Sequence, residues 1–267
     1  MSITLIVPIL VGWLVGTLVN YLADVLPFTR RLSQPACPEC NAPFTWKGYL
    51  LFQPCQNGHS RKARLWIVQV AMMAISTYIW VKPPSKIGYI LGLALIIYFG
   101  VIFVIDMEHR LILHPTSTFG SFLGLGIGWL KWGLVPTLLG GLAGLLIMLA
   151  FYYFGVLFTR IRTKRMLARG LEADDEEALG AGDVILITIL GFIVGWPYIL
   201  FCLLYGILFG GFFSLLFVVW LLATRKYEKN ALMLFIPYGP YFITSAFLII
   251  FFPKFIQTVG TILVKPQ

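Results

Sequence analysis

The chain has 267 residues, of which 59% are hydrophobic and 16% aromatic, with only 12% charged and a formal net charge of +9. Soluble domains carry about 25% charged residues, so this composition excludes an ordinary soluble enzyme and points to a chain that crosses a membrane repeatedly. The basic excess requires no nucleic acid, because anionic lipid and membrane orientation account for it.

A helix needs about 20 apolar residues to cross the hydrocarbon core. On that measure eight spans are expected, over roughly 3–26, 65–81, 87–105, 117–131, 134–158, 183–196, 198–223 and 232–252. The first has no basic leader and no small-residue cleavage site, so it reads as a retained anchor. The sixth is short and stops before Pro197, where Gly195-Trp196-Pro197-Tyr198 predicts a tight turn into the seventh. With the N-terminus outside, fifteen of the twenty Lys and Arg residues fall in inner loops, the asymmetry that cytoplasmic loops display. The expected fold is therefore all-α and polytopic, with about eight transmembrane helices. Its parts are a first transmembrane helix over 1–27, a small cytoplasmic zinc-binding Cys/His loop over 28–64, and a seven-helix core over 65–267 with a cytoplasmic loop at 159–182. No feature sets an oligomeric state.

The third span ends in Val-Ile-Asp106 and the sixth begins at Asp183. The orientation, which rests on Lys and Arg alone, brings both acids to the cytoplasmic leaflet. A carboxylate near hydrocarbon costs about 3 kcal/mol on insertion scales. The plain readings are an N-cap for Asp183 and a solvated helix end for Asp106. Against the second, a helix C-terminus repels negative charge. The opposed helix ends suggest that Asp183 is held as the anion and Asp106 is the easier to protonate; one acid and one base are what an aspartyl dyad needs for hydrolysis. Gly180 and Gly182 remove side chains beside Asp183, so that a peptide backbone can lie close to it.

In the first loop, Cys37 and Cys40 are spaced C-x2-C, and Cys55 and His59 are spaced C-x3-H. Three thiolates and one imidazole form a closed tetrahedral set of the structural-zinc kind. On the cytoplasmic side disulfides are disfavoured, and the alternative is a set of reduced cysteines with His59 an ordinary surface residue. Cys202 reads as a small core residue, His109 and His114 as interfacial polar residues, and the acidic run at 173–177 as a solvated loop face.

Taken in order, GTLVNYLADVLP at 16–27, the paired Cys/His knuckles, IDMEHRLILHP at 105–115, GAGD at 180–183, GILFGGFFS at 206–214 and PYGPY at 237–241 resemble the type IV prepilin peptidases. These are bifunctional leader peptidases and N-methyltransferases among the membrane aspartic proteases. The resemblance implies catalytic roles for Asp106 and Asp183. It also implies cleavage of a short basic leader from type IV prepilins or type II secretion pseudopilins at the cytoplasmic face of the bacterial inner membrane, and methylation of the new N-terminus from S-adenosylmethionine. The chain departs from the family pattern at His59, where a fourth cysteine is usual, at Ile185 and Gln69, where a lysine and a glutamate are common, and at His114-Pro115. The rival readings are an ion-coupled transporter, whose acids would lie near the midplane, and a non-methylating or inactive prepilin-binding homologue.

Overall fold

The computed structural model describes residues 3–167, 180–224 and 237–253. Among them are nine helices and no strand, only a single bridge between Ala36 and Pro43. Five helices are long and apolar enough to cross a membrane, and two shorter ones, Ala181–Val194 and Gly239–Phe251, are equally apolar. Each of the eight expected spans coincides with a helix. The chain divides into two compact units, Met1–Thr118 and Phe119–Gln267.

The first unit is built from α1 (Ile3–Thr29), the short α2 (Trp46–Leu50), α3 (Ala63–Val81) and α4 (Gly88–His109). Helices α1 and α3 approach closely because α1 carries Gly12 and Gly16. A Cβ on Gly12 would stand 2.6 Å from the Met73 Cα. Polar side chains complete this contact by bonding across to backbone carbonyls: Asn20 Nδ2 to Leu65 O at 3.2 Å, Gln69 Nε2 to Trp13 O at 2.6 Å, and Ser76 Oγ to Pro8 O at 2.7 Å. Where no water competes, small residues with interhelical hydrogen bonds are the usual means of helix association. Helix α4 is apolar on all sides and is the most enclosed helix of this unit, with Leu95, Ile96, Phe99, Ile102 and Ile105 buried, as such a helix must be.

The second unit holds most of α5 (His114–Trp132), then α6 (Leu134–Leu167), α7 (Ala181–Val194), α8 (Tyr198–Ala223) and α9 (Gly239–Phe251). Helix α7 is its centre, packed on α6, α8 and α9. Its Leu186, Ile187, Leu190 and Ile193 are wholly buried. The turn expected at 195–198 is present: Gly195 adopts φ 71°, and the Trp196 N–H bonds to Pro136 O at 2.8 Å. Helix α6 continues through Leu167, so the loop expected from 159 begins as helix, and the acidic run at 173–177 lies outside the described residues. Leucines and phenylalanines such as Leu14, Phe122, Phe154 and Leu215 are exposed along the long helices, an outer surface suited to lipid.

Candidate functional site

The loop between α1 and α3 brings Cys37, Cys40, Cys55 and His59 together, with one donor atom from each all within 4.8 Å of one another. This group can hold a metal ion. Backbone turns create it. The Cys37 N–H bonds to Ala42 O and the Asn41 N–H returns to Cys37 O, both at 2.9 Å, around Asn41 at φ 55°; asparagine tolerates that left-handed conformation better than most residues. In the second turn the Cys55 N–H bonds to His59 O at 3.1 Å and the Gly58 N–H to Cys55 O at 2.9 Å, with Gly58 at φ 81°, where only glycine is unstrained. Burial pushes the Cys55 thiol up, but backbone groups of His59 and Asn57 and the neighbouring thiols outweigh it and bring it down to about 7. That thiol is thus close to the thiolate form a metal needs. Across the ring from Nδ1, His59 Nε2 lies 3.5 Å from Glu39 Oε2. A carboxylate in that place orients a ligating imidazole.

Cys37 and Cys55 pack into a small core with Phe44 and Tyr49, against Tyr21 of α1. The Arg61 guanidinium lies between two rings, 4.6 Å from the Phe44 centroid and 4.2 Å from that of Tyr49, a cation–π sandwich. The Tyr49 hydroxyl donates to Asp24 Oδ2 at 2.6 Å. Burial and the Asp24 carboxylate push its phenol up, so it stays protonated and donating. Arg64 Nη2 donates to the other oxygen of Asp24, and Arg64 Nε lies 3.5 Å from Glu108 Oε1. Asp24, Arg61, Arg64 and Glu108 line a cleft with Phe28, Glu39 and His109. The sequence reading missed this network. Its one sequence signal is Asp24, a charge near the end of an otherwise apolar helix, which is a functional or paired position by default.

Asp106 is buried in the last turn of α4. That turn is ended by Arg110 in the left-handed conformation, φ 54°, whose N–H bonds to Asp106 O at 3.0 Å. Asp183 is half-buried at the third position of α7. It is not the N-cap. Gly180 holds that place, and no side chain caps the helix. The run Gly-Ala-Gly supplies no oxygen, so the first turn is closed by the Asp183 N–H to Gly180 O at 3.0 Å. The Asp183 carboxylate folds back over Gly180, where an added Cβ would stand 3.8 Å from Oδ2. Gly180 is exposed and Gly182 half-buried. Each aspartate thus stands near one end of a largely buried helix of its own unit.

The remaining candidates take the plainer readings. The His109 ring packs edge-on against Phe28 at 5.4 Å, and His114 is exposed at the start of α5. Cys202 is fully buried and donates its S–H to Phe242 O at 3.7 Å.

Five helices of membrane-crossing length and apolarity, an aspartate near one end of α4 and another near one end of α7, and a loop that could hold a metal mark the class of protein as a helical one suited to a membrane. Residues 93–215, the stretch that contains both Asp106 and Asp183, match the model of the type IV leader peptidase family. The Cys/His loop precedes the matched stretch. No curated protein and no solved structure matches the chain.

Proposed function

We propose that this protein is a membrane aspartic endopeptidase that removes the short basic leader of type IV prepilins or pseudopilins, with Asp106 and Asp183 as its catalytic pair. The observation that carries this reading is the family match across the segment bearing both acids; their positions near the ends of two largely buried helices support it. In such a pair the ionised carboxylate takes a proton from water, which attacks the scissile carbonyl, while the protonated carboxyl gives its proton to the leaving amine. Gly180 and Gly182 carry no side chain that would keep a substrate backbone from Asp183, and Gly180 is exposed. The eight helices that match the expected spans would then cross the inner membrane, with the aspartates at its cytoplasmic face. The family resemblance brings with it a second step, transfer of a methyl group from S-adenosylmethionine to the new N-terminus. The test is intact-mass spectrometry of a prepilin incubated with the purified protein and the methyl donor. Loss of the leader mass with wild type and not with Asp183→Ala is expected, and a further methyl mass reports the second step. Intact precursor in every reaction, with the protein folded and metal-loaded, refutes the reading.

The metal of the Cys/His loop is proposed to be structural zinc. Zinc arms of about 2.3 Å to sulfur and about 2.0 Å to nitrogen give tetrahedral edges of about 3.8 Å and 3.5 Å. The Cys40–Cys55 sulfurs are 3.7 Å apart, and His59 Nδ1 lies 3.3 Å from Cys55 Sγ and 3.9 Å from Cys37 Sγ. Four protein donors leave no open position for catalysis. Glu39→Gln is expected to weaken zinc binding about 10- to 100-fold, and Cys40→Ser to lower the zinc content of tag-free protein well below one per chain. Elemental analysis beside a chelator titration reads both.

A further inference from the structure

The Cys/His loop and the helix end that carries Asp106 are joined within the first unit by a series of contacts, apolar packing at the loop and then polar links. On the loop side, Tyr49 belongs to the same small core as Cys37 and Cys55 and bonds Asp24 Oδ2 at 2.6 Å. At the other end, Glu108 lies two residues beyond Asp106, inside the turn closed by the Arg110 N–H on Asp106 O. Arg64, in the first turn of α3, is the only group that touches both Asp24 and Glu108 among the described residues. Its side chain and that of Asp24 are about one-fifth exposed, so solvent screens this pair far less than a surface pair. The planar fork of arginine serves two carboxylates at once, a geometry lysine does not reproduce.

We propose that Arg64 is a positioning residue: by bridging Asp24 and Glu108 it ties the last turn of α4 to the Cys/His loop, so that a filled metal site steadies the turn bearing Asp106. Metal binding then acts on the reaction from a distance, without the metal touching substrate. The Phe28–His109 ring contact holds the same turn to α1 but does not reach the loop. An ion pair that merely docks the loop would lower stability when broken and leave the α4 end indifferent to the metal. The consequence for catalysis rests on the peptidase reading above; the coupling itself does not.

The experiment is hydrogen–deuterium exchange on the full-length protein in lipid nanodiscs, zinc-loaded and after chelation. In wild type, chelation is expected to speed exchange over residues 104–113 by roughly tenfold, the mark of local opening. In Arg64→Gln that segment exchanges fast with or without zinc, while bound zinc stays at one per chain. Glu108→Gln, a milder change at the other end of the bridge, reproduces the effect, and Arg64→Lys restores it only in part. With a prepilin substrate, Arg64→Gln lowers kcat by about 10- to 100-fold while KM stays within about twofold, as misplacement of a reacting group does. Exchange over 104–113 that is identical in the two zinc states of wild type overturns the proposal, and so does loss of zinc from both Arg64→Gln and Glu108→Gln. Absence of cleavage by wild type alongside zinc-dependent exchange counts against the peptidase reading and leaves the coupling standing.

Discussion

Asp106→Asn and Asp183→Asn are each expected to lower prepilin cleavage by about 10³-fold or more, in the upper part of the 10²- to 10⁴-fold range that positioned acid–base groups supply, because both act in one step. The double variant is expected to be scarcely worse than either single one, since residues that act as a unit lose their effect together. Both side chains keep their shape and lose only their charge, so metal content and thermal stability are the controls. Asp106 is buried and Asp183 half-buried, and a neutral amide in such places does not raise the desolvation cost. Single-turnover rates with a prepilin in lipid decide the matter. Additive losses, with each single variant retaining a tenth of the activity, would mean that the two acids do not serve one catalytic step.

A large effect on stability is expected at the seam between α6 and α7. A Cβ added at Gly191 would lie 2.4 Å from Gly140 O, and one added at Gly140 would lie 2.4 Å from Gly191 O. Both obstacles are backbone, so no rotamer relieves them. Gly144 meets Ile187 O at 2.9 Å in the same way. Gly191→Ala must push the helices apart over several turns, with an expected cost at the upper end of the about 1–3 kcal/mol that overpacking brings, and Gly191→Leu is expected not to fold. Gly126→Ala and Gly211→Ala, where a Cβ meets no atom within 4 Å, are expected to be neutral or to stabilise by up to about 1 kcal/mol through helix propensity. Thermal unfolding in matched detergent separates the two classes; equal losses at Gly191 and Gly126 would refute the close seam.

The helices were legible because apolar length is a one-dimensional signal. Even the short stretch before Pro197 declares itself. The five-residue α2, Trp46–Leu50, has no period to read and was not foreseen. The metal loop was legible for a related reason: C-x2-C and C-x3-H are local spacings that two turns suffice to close, with Asn41 and Gly58 already at the positive-φ positions. By contrast, Tyr49, Asp24, Arg64 and Glu108 stand in four different segments, and no local pattern joins them. In the sequence Arg61 and Arg64 register only as members of a basic loop. The N-cap reading of Asp183 was reasonable on residue type and failed on register, because the cap falls at Gly180, three residues before the acid.

The brevity of α7 has a consequence for the access of water. Its 14 residues extend about 21 Å at 1.5 Å per residue, against a hydrocarbon thickness of about 30 Å. Because α7 is packed on α6, α8 and α9, protein rather than lipid surrounds it, and a span this short need not deform the bilayer. In a membrane, the long, exposed apolar flanks of α6 and α8 would meet lipid of ordinary thickness, while α7 would end about 9 Å short of the full hydrocarbon depth. A recess at its Asp183 end would shorten the path that water must travel to reach the carboxylate.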